Sequence, residues 1–195
     1  MKEMMRYGFI LALICVIAAG LLAGVNALTQ PKIIAQAQLE EQAALKEVMP
    51  LAVKFVAIKS DVDMKVLYYK AFDNQDKLMG FVFKASEKGY SSIIETLVGI
   101  SLDDKINGIK VIFQNETPGL GTRVTEDKFR SQFSNQSSLN LADVCAITGA
   151  TISSRAVMNS IMKKAVEIKE LIKNDPFDSA QGHTERIKGE SKHER

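Results

Sequence analysis

Cysteine and histidine are nearly absent from this chain of 195 residues, which has two of each. Cys15 and Cys145 lie far apart in unlike surroundings, which argues against a disulfide framework and against a cysteine-based metal site. His183 and His193 both fall in a polar C-terminal stretch, so little remains from which to build a histidine-centred catalytic or metal site. Also missing are a Gly-x-Gly-x-x-Gly dinucleotide fingerprint, a cysteine cluster for iron–sulfur, and an acid–base pair suggested by spacing. A formal net charge of +2, with no basic stripe interleaved with aromatics, argues against a nucleic-acid binder. Demanding chemistry is therefore expected from a bound organic cofactor rather than from side chains. The length suits one domain with an appendage, and there are no internal repeats.

What the chain does have is a long apolar run. Tyr7 to Leu28 is 22 residues without a charge. As a helix rising about 1.5 Å per residue it spans roughly 33 Å, enough for a hydrocarbon core of about 30 Å. A cleaved signal peptide, with Val25-Asn26-Ala27 as the cleavage site, is the rival, but the run exceeds the roughly 7–15 apolar residues of a signal sequence. A retained anchor is the expectation. Cys15 follows Leu13-Ile14, too bulky for a lipoprotein cysteine, and reads as a small buried apolar residue. Lys2 and Arg6 precede the span, whereas the first cation after it is Lys32, soon followed by Glu40 and Glu41. That bias predicts a cytoplasmic N-terminus, with residues 30–195 on the far side of the membrane.

Beyond the anchor (residues 1–29) a juxtamembrane helix is expected over 30–50, starting near Pro31 and ending before Pro50, with Ile33, Ala37, Leu45, Val48 and Met49 on or near one face. A domain over 51–173 follows. Val53–Ile58 and Met64–Tyr69 read as strands, and Leu78–Ala85 returns after the turn signal Asp73-Asn74-Gln75-Asp76. After Gly89-Tyr90, the runs Ile93–Ile100 and Ile106–Phe113 flank Asp103-Asp104-Lys105 and form a second antiparallel pair. Thr125-Glu126-Asp127-Lys128 opens a short helix through Phe133. From Ser153 to about Lys173 the pattern is helical, with Val157, Ile161, Ala165, Ile168 and Ile172 on one face toward the sheet. Residues 174–195, rich in charge and poor in apolar side chains, read as a disordered polar tail. The fold class expected is α+β, a single N-terminal transmembrane helix followed by one domain of antiparallel sheet with packed helices.

Two short stretches carry chemistry. Thr148-Gly149-Ala150-Thr151 is a small-residue turn feeding a helix, where free N–H groups and the helix dipole favour an anion such as phosphate. The plainer reading is that Thr148 or Thr151 caps the helix and Gly149 relieves the turn. Upstream, Glu116-Thr117-Pro118-Gly119-Leu120-Gly121 is a loop that proline and two glycines shape for close backbone approach.

Together these two motifs, the anchor and the Gly89-Tyr90 turn resemble the FMN-binding domain of the G subunit of the Rnf electron-transport complex, and of its relative, the C subunit of the sodium-pumping NADH:quinone reductase. In that family FMN is joined through its phosphate to the last threonine of a Ser/Thr-Gly-Ala-Thr motif by a flavin transferase. The resemblance implies Thr151 as the attachment residue, with Thr148, Gly149 and Ala150 shaping the phosphate turn. Glu116, Thr117, Gly119, Leu120 and Gly121 would line the flavin. Arg123 reads equally as a site residue or a solvated charge, and Tyr90 as a core side chain rather than a stacking one. Where the family commonly has aspartate six residues before the modified threonine, this chain has Cys145, with Asp143 two residues earlier. Cys145 itself reads as a small buried residue.

The function implied is that of a membrane-anchored electron relay in an Rnf-type ion-translocating ferredoxin:NAD oxidoreductase, not catalytic alone and with no metal site. It would sit as a single-pass protein in the inner (cytoplasmic) membrane, its FMN domain on the periplasmic or extracellular side. Partners would be the other subunits of the complex, the transferase and the membrane. The alternatives are an equivalent of the quinone reductase's C subunit, and an anchored flavin-binding sensor without turnover.

Overall fold

The computed structural model describes residues 2–60 and 65–173, and the chain divides into two compact units, Met1–Ala43 and Ala44–Arg195. The expected polar tail and the first residue of the expected strand at Met64 lie outside the described residues. Helix α1 (Lys2–Val48) runs through the first unit and ends in the second. Among the described residues it is the one helix long and apolar enough to cross a membrane, by length and composition.

Pro31 is inside α1 rather than at a helix start. Proline removes the N–H that would reach the Ala27 carbonyl, yet the helix continues, as apolar spans tolerate more readily than soluble helices do. The Thr29 hydroxyl, just before it, donates to the carbonyls of Val25 and Asn26 at 2.9 and 3.3 Å. Cys15, expected to be buried, is exposed on this helix.

The second unit begins with the last turn of α1 and a sheet of five antiparallel strands in sequential order. The strands are β1 (Lys54–Lys59), β2 (Val66–Phe72), β3 (Leu78–Lys88), β4 (Ile93–Ser101) and β5 (Ile106–Phe113). The two expected hairpins are thus joined by β3–β4 pairing, from Gly80↔Ser101 to Lys88↔Ile93, into one meander. Short 3₁₀ turns at Gly121–Thr125 and Ser131–Phe133 flank α2 (Asp127–Arg130), and α3 (Thr151–Lys173) closes the fold.

Alternation along the strands gives the sheet two apolar faces. On one, Ile94, Val98 and Ile100 of β4 join Phe81 and Phe83 of β3 in a core with Val157, Ile161, Ala165 and Ile168 of α3, roofed by Phe129 and Phe133. The helical face expected from spacing is the buried one: those four α3 residues are at most 2% exposed. On the other face, Ala44, Leu45, Val48 and Met49 pack on Ala71, Val82 and Leu97. Gly99 has no room for a side chain there, since a Cβ would lie 2.6 Å from the Val48 carbonyl oxygen. Glu47 adds ion pairs to Lys110 at 2.7 Å and Arg130 at 2.6 Å.

Candidate functional site

Three connections meet at one end of the sheet: the β3–β4 turn around Tyr90, the loop from Glu116 to Gly121, and the turn entering α3. They enclose a cavity of about 530 Å³ lined by Tyr90, Glu116, Thr117, Leu120, Gly121 and the run Gly149–Ser153.

The entrance to α3 is a tight turn. The Ala150 N–H donates to the Ile147 carbonyl at 2.9 Å, and Gly149, third of the four residues, has φ +83°. A positive φ at that position is what a type II turn demands, and glycine supplies it without strain. Behind the turn, the Ser154 hydroxyl donates to the Ala150 carbonyl at 2.9 Å and accepts from the Ile147 N–H at 3.0 Å, fixing the turn to the helix.

Neither threonine caps α3. The residue preceding the helix is Ala150, which has no side-chain acceptor, and no acceptor among the described residues meets the N–H groups of Thr151, Ile152 and Ser153. A helix start of this kind leaves donors and the positive end of the dipole directed outward. Thr151 is exposed and lines the cavity; Thr148 is exposed and lies outside the lining.

The second loop is built around a carboxylate. Glu116 is 4% exposed, and both of its oxygens are occupied by protein donors. Oε1 accepts from the N–H groups of Ser91 (3.0 Å) and Ser92 (2.8 Å) and from the Ser92 hydroxyl (3.3 Å). Oε2 accepts from the Tyr90 N–H (3.1 Å) and the Ser153 hydroxyl (2.7 Å). Burial pushes its pKa up, but the Ser153 hydroxyl and the three amides outweigh burial and hold it below the ordinary glutamate value. Gly119 takes φ +74°, and its N–H donates to the Thr122 hydroxyl at 3.0 Å; it shapes the loop without reaching the cavity lining.

Of the residues expected at the site, Glu116, Thr117, Leu120, Gly121, Gly149, Ala150 and Thr151 therefore share one cavity, and Thr148 and Gly119 stand outside its lining. Arg123 pairs with Glu126 at 3.5 Å and is also outside it. Tyr90, expected in the core, is 68% exposed and forms part of the cavity wall. Its turn carries it past the ends of β3 and β4, off the sheet. Cys145, also expected to be buried, is exposed: its N–H is tied to Gln132 Oε1 at 2.8 Å in an irregular segment, which leaves the thiol outside the core. Sequence reasoning missed Ser153 and Ile152. A serine in the first turn of a helix was the available signal, but its partner is 37 residues away.

Comparison with known proteins converges on these elements. The RnfG N-terminal region model matches residues 1–48, which end where α1 ends, and the FMN-binding domain model matches residues 89–167, which contain every residue of the cavity lining. The G subunit of the ion-translocating oxidoreductase complex of Methanosarcina acetivorans is 36% identical over 172 residues, covering 82% of this chain and 92% of that protein. The chain belongs to the RnfG family. Another member, the G subunit of the proton-translocating ferredoxin:NAD(+) oxidoreductase complex of Clostridium ljungdahlii, is 33% identical over 166 residues, covering 80% of this chain and 86% of its own. Among solved structures, Shewanella oneidensis NqrC is similar with a TM-score of 0.47 at 22% identity, over 59% of this chain and 66% of that one. In this RnfG-family chain the cavity between the Tyr90 turn and α3 combines an apolar wall with helix N–H donors open to an anion.

Proposed function

We propose that this chain is the membrane-anchored flavoprotein subunit of an ion-translocating ferredoxin:NAD oxidoreductase complex, relaying electrons through FMN joined by its phosphate to the Thr151 hydroxyl. The first 29 residues are the single-pass anchor in the cytoplasmic membrane, with a cytoplasmic N-terminus. The flavin domain, ending at residue 173, works on the opposite side. Its partners are the other subunits of the complex, and a flavin transferase matures it.

One observation carries the reading: the uncapped start of α3, with Thr151 as its first residue, opens onto a cavity inside the span matched by the FMN-binding domain. The residues present fit the cofactor. About 530 Å³ lies within the range of small-molecule sites, roughly 300–1,000 Å³. The amides of Thr151, Ile152 and Ser153, with the helix dipole, suit the single negative charge that a phosphodiester retains. Leu120, Ile152 and Tyr90 supply apolar and aromatic surface, and Thr117 adds a hydroxyl.

FMN supplies the redox chemistry, and the chain's own residues bind, orient and enclose it. Both oxygens of Glu116 are taken up by donors of the Tyr90–Ser92 turn and Ser153, so its part is to shape the cavity wall. The test is expression with the transferase, followed by denaturing electrophoresis: flavin fluorescence should stay with the polypeptide and vanish in Thr151→Ala. Fluorescence lost on denaturation of the unaltered chain would leave a reversible flavin binder. Co-purification with polytopic subunits separates a complex component from a free-standing sensor.

A further inference from the structure

The cavity wall holds one group whose role is not explained by lining a cofactor. Glu116 lies almost wholly buried, 4% exposed, between three segments that share no secondary structure. Its oxygens collect the Tyr90, Ser91 and Ser92 amides of the β3–β4 turn on one side and the Ser153 hydroxyl of α3 on the other. The Ser92 hydroxyl, besides reaching Oε1, accepts the Asn115 N–H at 2.8 Å, so the turn is also stitched to the residue before Glu116.

Two glycines are fitted to the same carboxylate. A Cβ at Gly89 would stand 2.8 Å from Oε1 and 2.7 Å from Ile94 Cδ1. At Gly121 it would stand 2.7 Å from Glu116 Oε2 and 2.8 Å from the Ser153 hydroxyl oxygen. Neither glycine has a positive φ, so what each position requires is room rather than backbone freedom. Tyr90, 68% exposed, sits in a turn closed by the Gly89 N–H on the Ser92 carbonyl at 2.8 Å, and its own N–H ties that turn to Glu116.

The chemistry of the partners selects this side chain. The three amides can only donate, so the buried group between them must accept on both oxygens. An ionised glutamate does so. Glutamine would turn an NH₂ toward at least one donor, and aspartate is one methylene short of Ser153.

We infer that Glu116 is a positioning residue: by fastening the Tyr90–Ser92 turn to Ser153 it holds the Tyr90 ring and the Thr151 end of α3 in fixed relation across the cavity. The inference rests on the flavin reading only for what occupies the cavity, and the first arm of its test does not use flavin.

In that arm the full-length chain, made without transferase and held in detergent, is compared with Glu116→Gln and Ser153→Ala by amide hydrogen exchange. Loss of a charge-assisted bond should speed exchange at Tyr90–Ser92 roughly tenfold or more in Glu116→Gln. Ser153→Ala, the milder change, should loosen the same turn although it alters a different element, with exchange in β3 and β4 unchanged. Faster exchange confined to the altered segment, or none at all, overturns the inference. In the second arm, the fraction of transferase-matured Glu116→Gln that carries the modified Thr151 peptide should show shifted flavin absorbance and fluorescence yield. An unchanged flavin spectrum also overturns it. Absence of flavin from the unaltered chain, with the exchange coupling intact, would instead remove the flavin reading and leave the fastening in place.

Discussion

On one face of the sheet the end of α1 is seated by apolar contact, Val48 and Met49 lying against Leu97, Val82 and the bare backbone of Gly99, while at the cavity end three loops converge on the carboxylate of Glu116. Both arrangements use glycine to admit a close neighbour, but they do different work. Apolar contact is non-directional and stabilises in proportion to area, whereas hydrogen bonds to a buried anion are directional and fix orientation. The seat of α1 should therefore contribute to the stability of the domain and leave the shape of the cavity alone. The Glu116 cluster should govern how its cavity is shaped, at some cost in stability when it is broken.

Substitutions can break that contrast. The largest effect is expected from Glu116→Ala, which strands the Tyr90, Ser91 and Ser92 amides beside the cavity. It should cost about 2–3 kcal/mol in urea unfolding, since each bond to a charged acceptor is worth about 1.5–3 kcal/mol and water reaching these part-buried amides returns much of the sum. Gly99→Ala, whose Cβ meets a backbone oxygen that cannot move aside, should cost about 1–2 kcal/mol as overpacking, with flavin incorporation unaffected. Gly121→Ala should do the reverse, reducing flavin incorporation more than stability.

A smaller effect follows from pH. Glu116 and Glu47 both titrate below the ordinary glutamate value, Glu47 chiefly through its bond to Lys110. A depressed carboxylate contributes stability that is present above its unfolded pKa and is lost as pH falls through the folded value. The thermal midpoint should hold down to about pH 5 and fall below it, and Glu116→Gln should flatten part of that decline. The smallest change is expected from Lys110→Ala. Its ion pair with Glu47 is part-exposed, with side chains 31% and 42% accessible, and should be worth under about 1 kcal/mol and shrink further in high salt.

Much of this architecture was legible in the chain, because it depends on periodicity. Ile106–Phe113 is a strand from end to end as read, β3 and β4 run one to three residues past their expected ends, and the α3 face was given by its apolar spacing. What was not legible depends on contacts between distant residues. Pro31 reads as a start because proline disfavours helix interiors, yet α1 passes through it. An aromatic residue beside a glycine reads as core, but Tyr90 sits on a turn past the end of the sheet, and Cys145 in a segment with no regular structure. The joining of Glu116 to the Tyr90 turn and to Ser153 spans 24 to 37 residues and leaves no local pattern. Gly121 lines the cavity as expected of a site residue, but that a Cβ there would meet Glu116 and Ser153 left no sign in the local sequence.

The most direct test of the central claim is peptide mass spectrometry on the full chain produced with the flavin transferase. The peptide bearing Thr151 should gain the mass of one FMN less one water, with fragmentation placing the addition on Thr151 and Thr151→Ala abolishing it. A peptide that remains unmodified, or an addition carried by Thr148, would contradict the assignment.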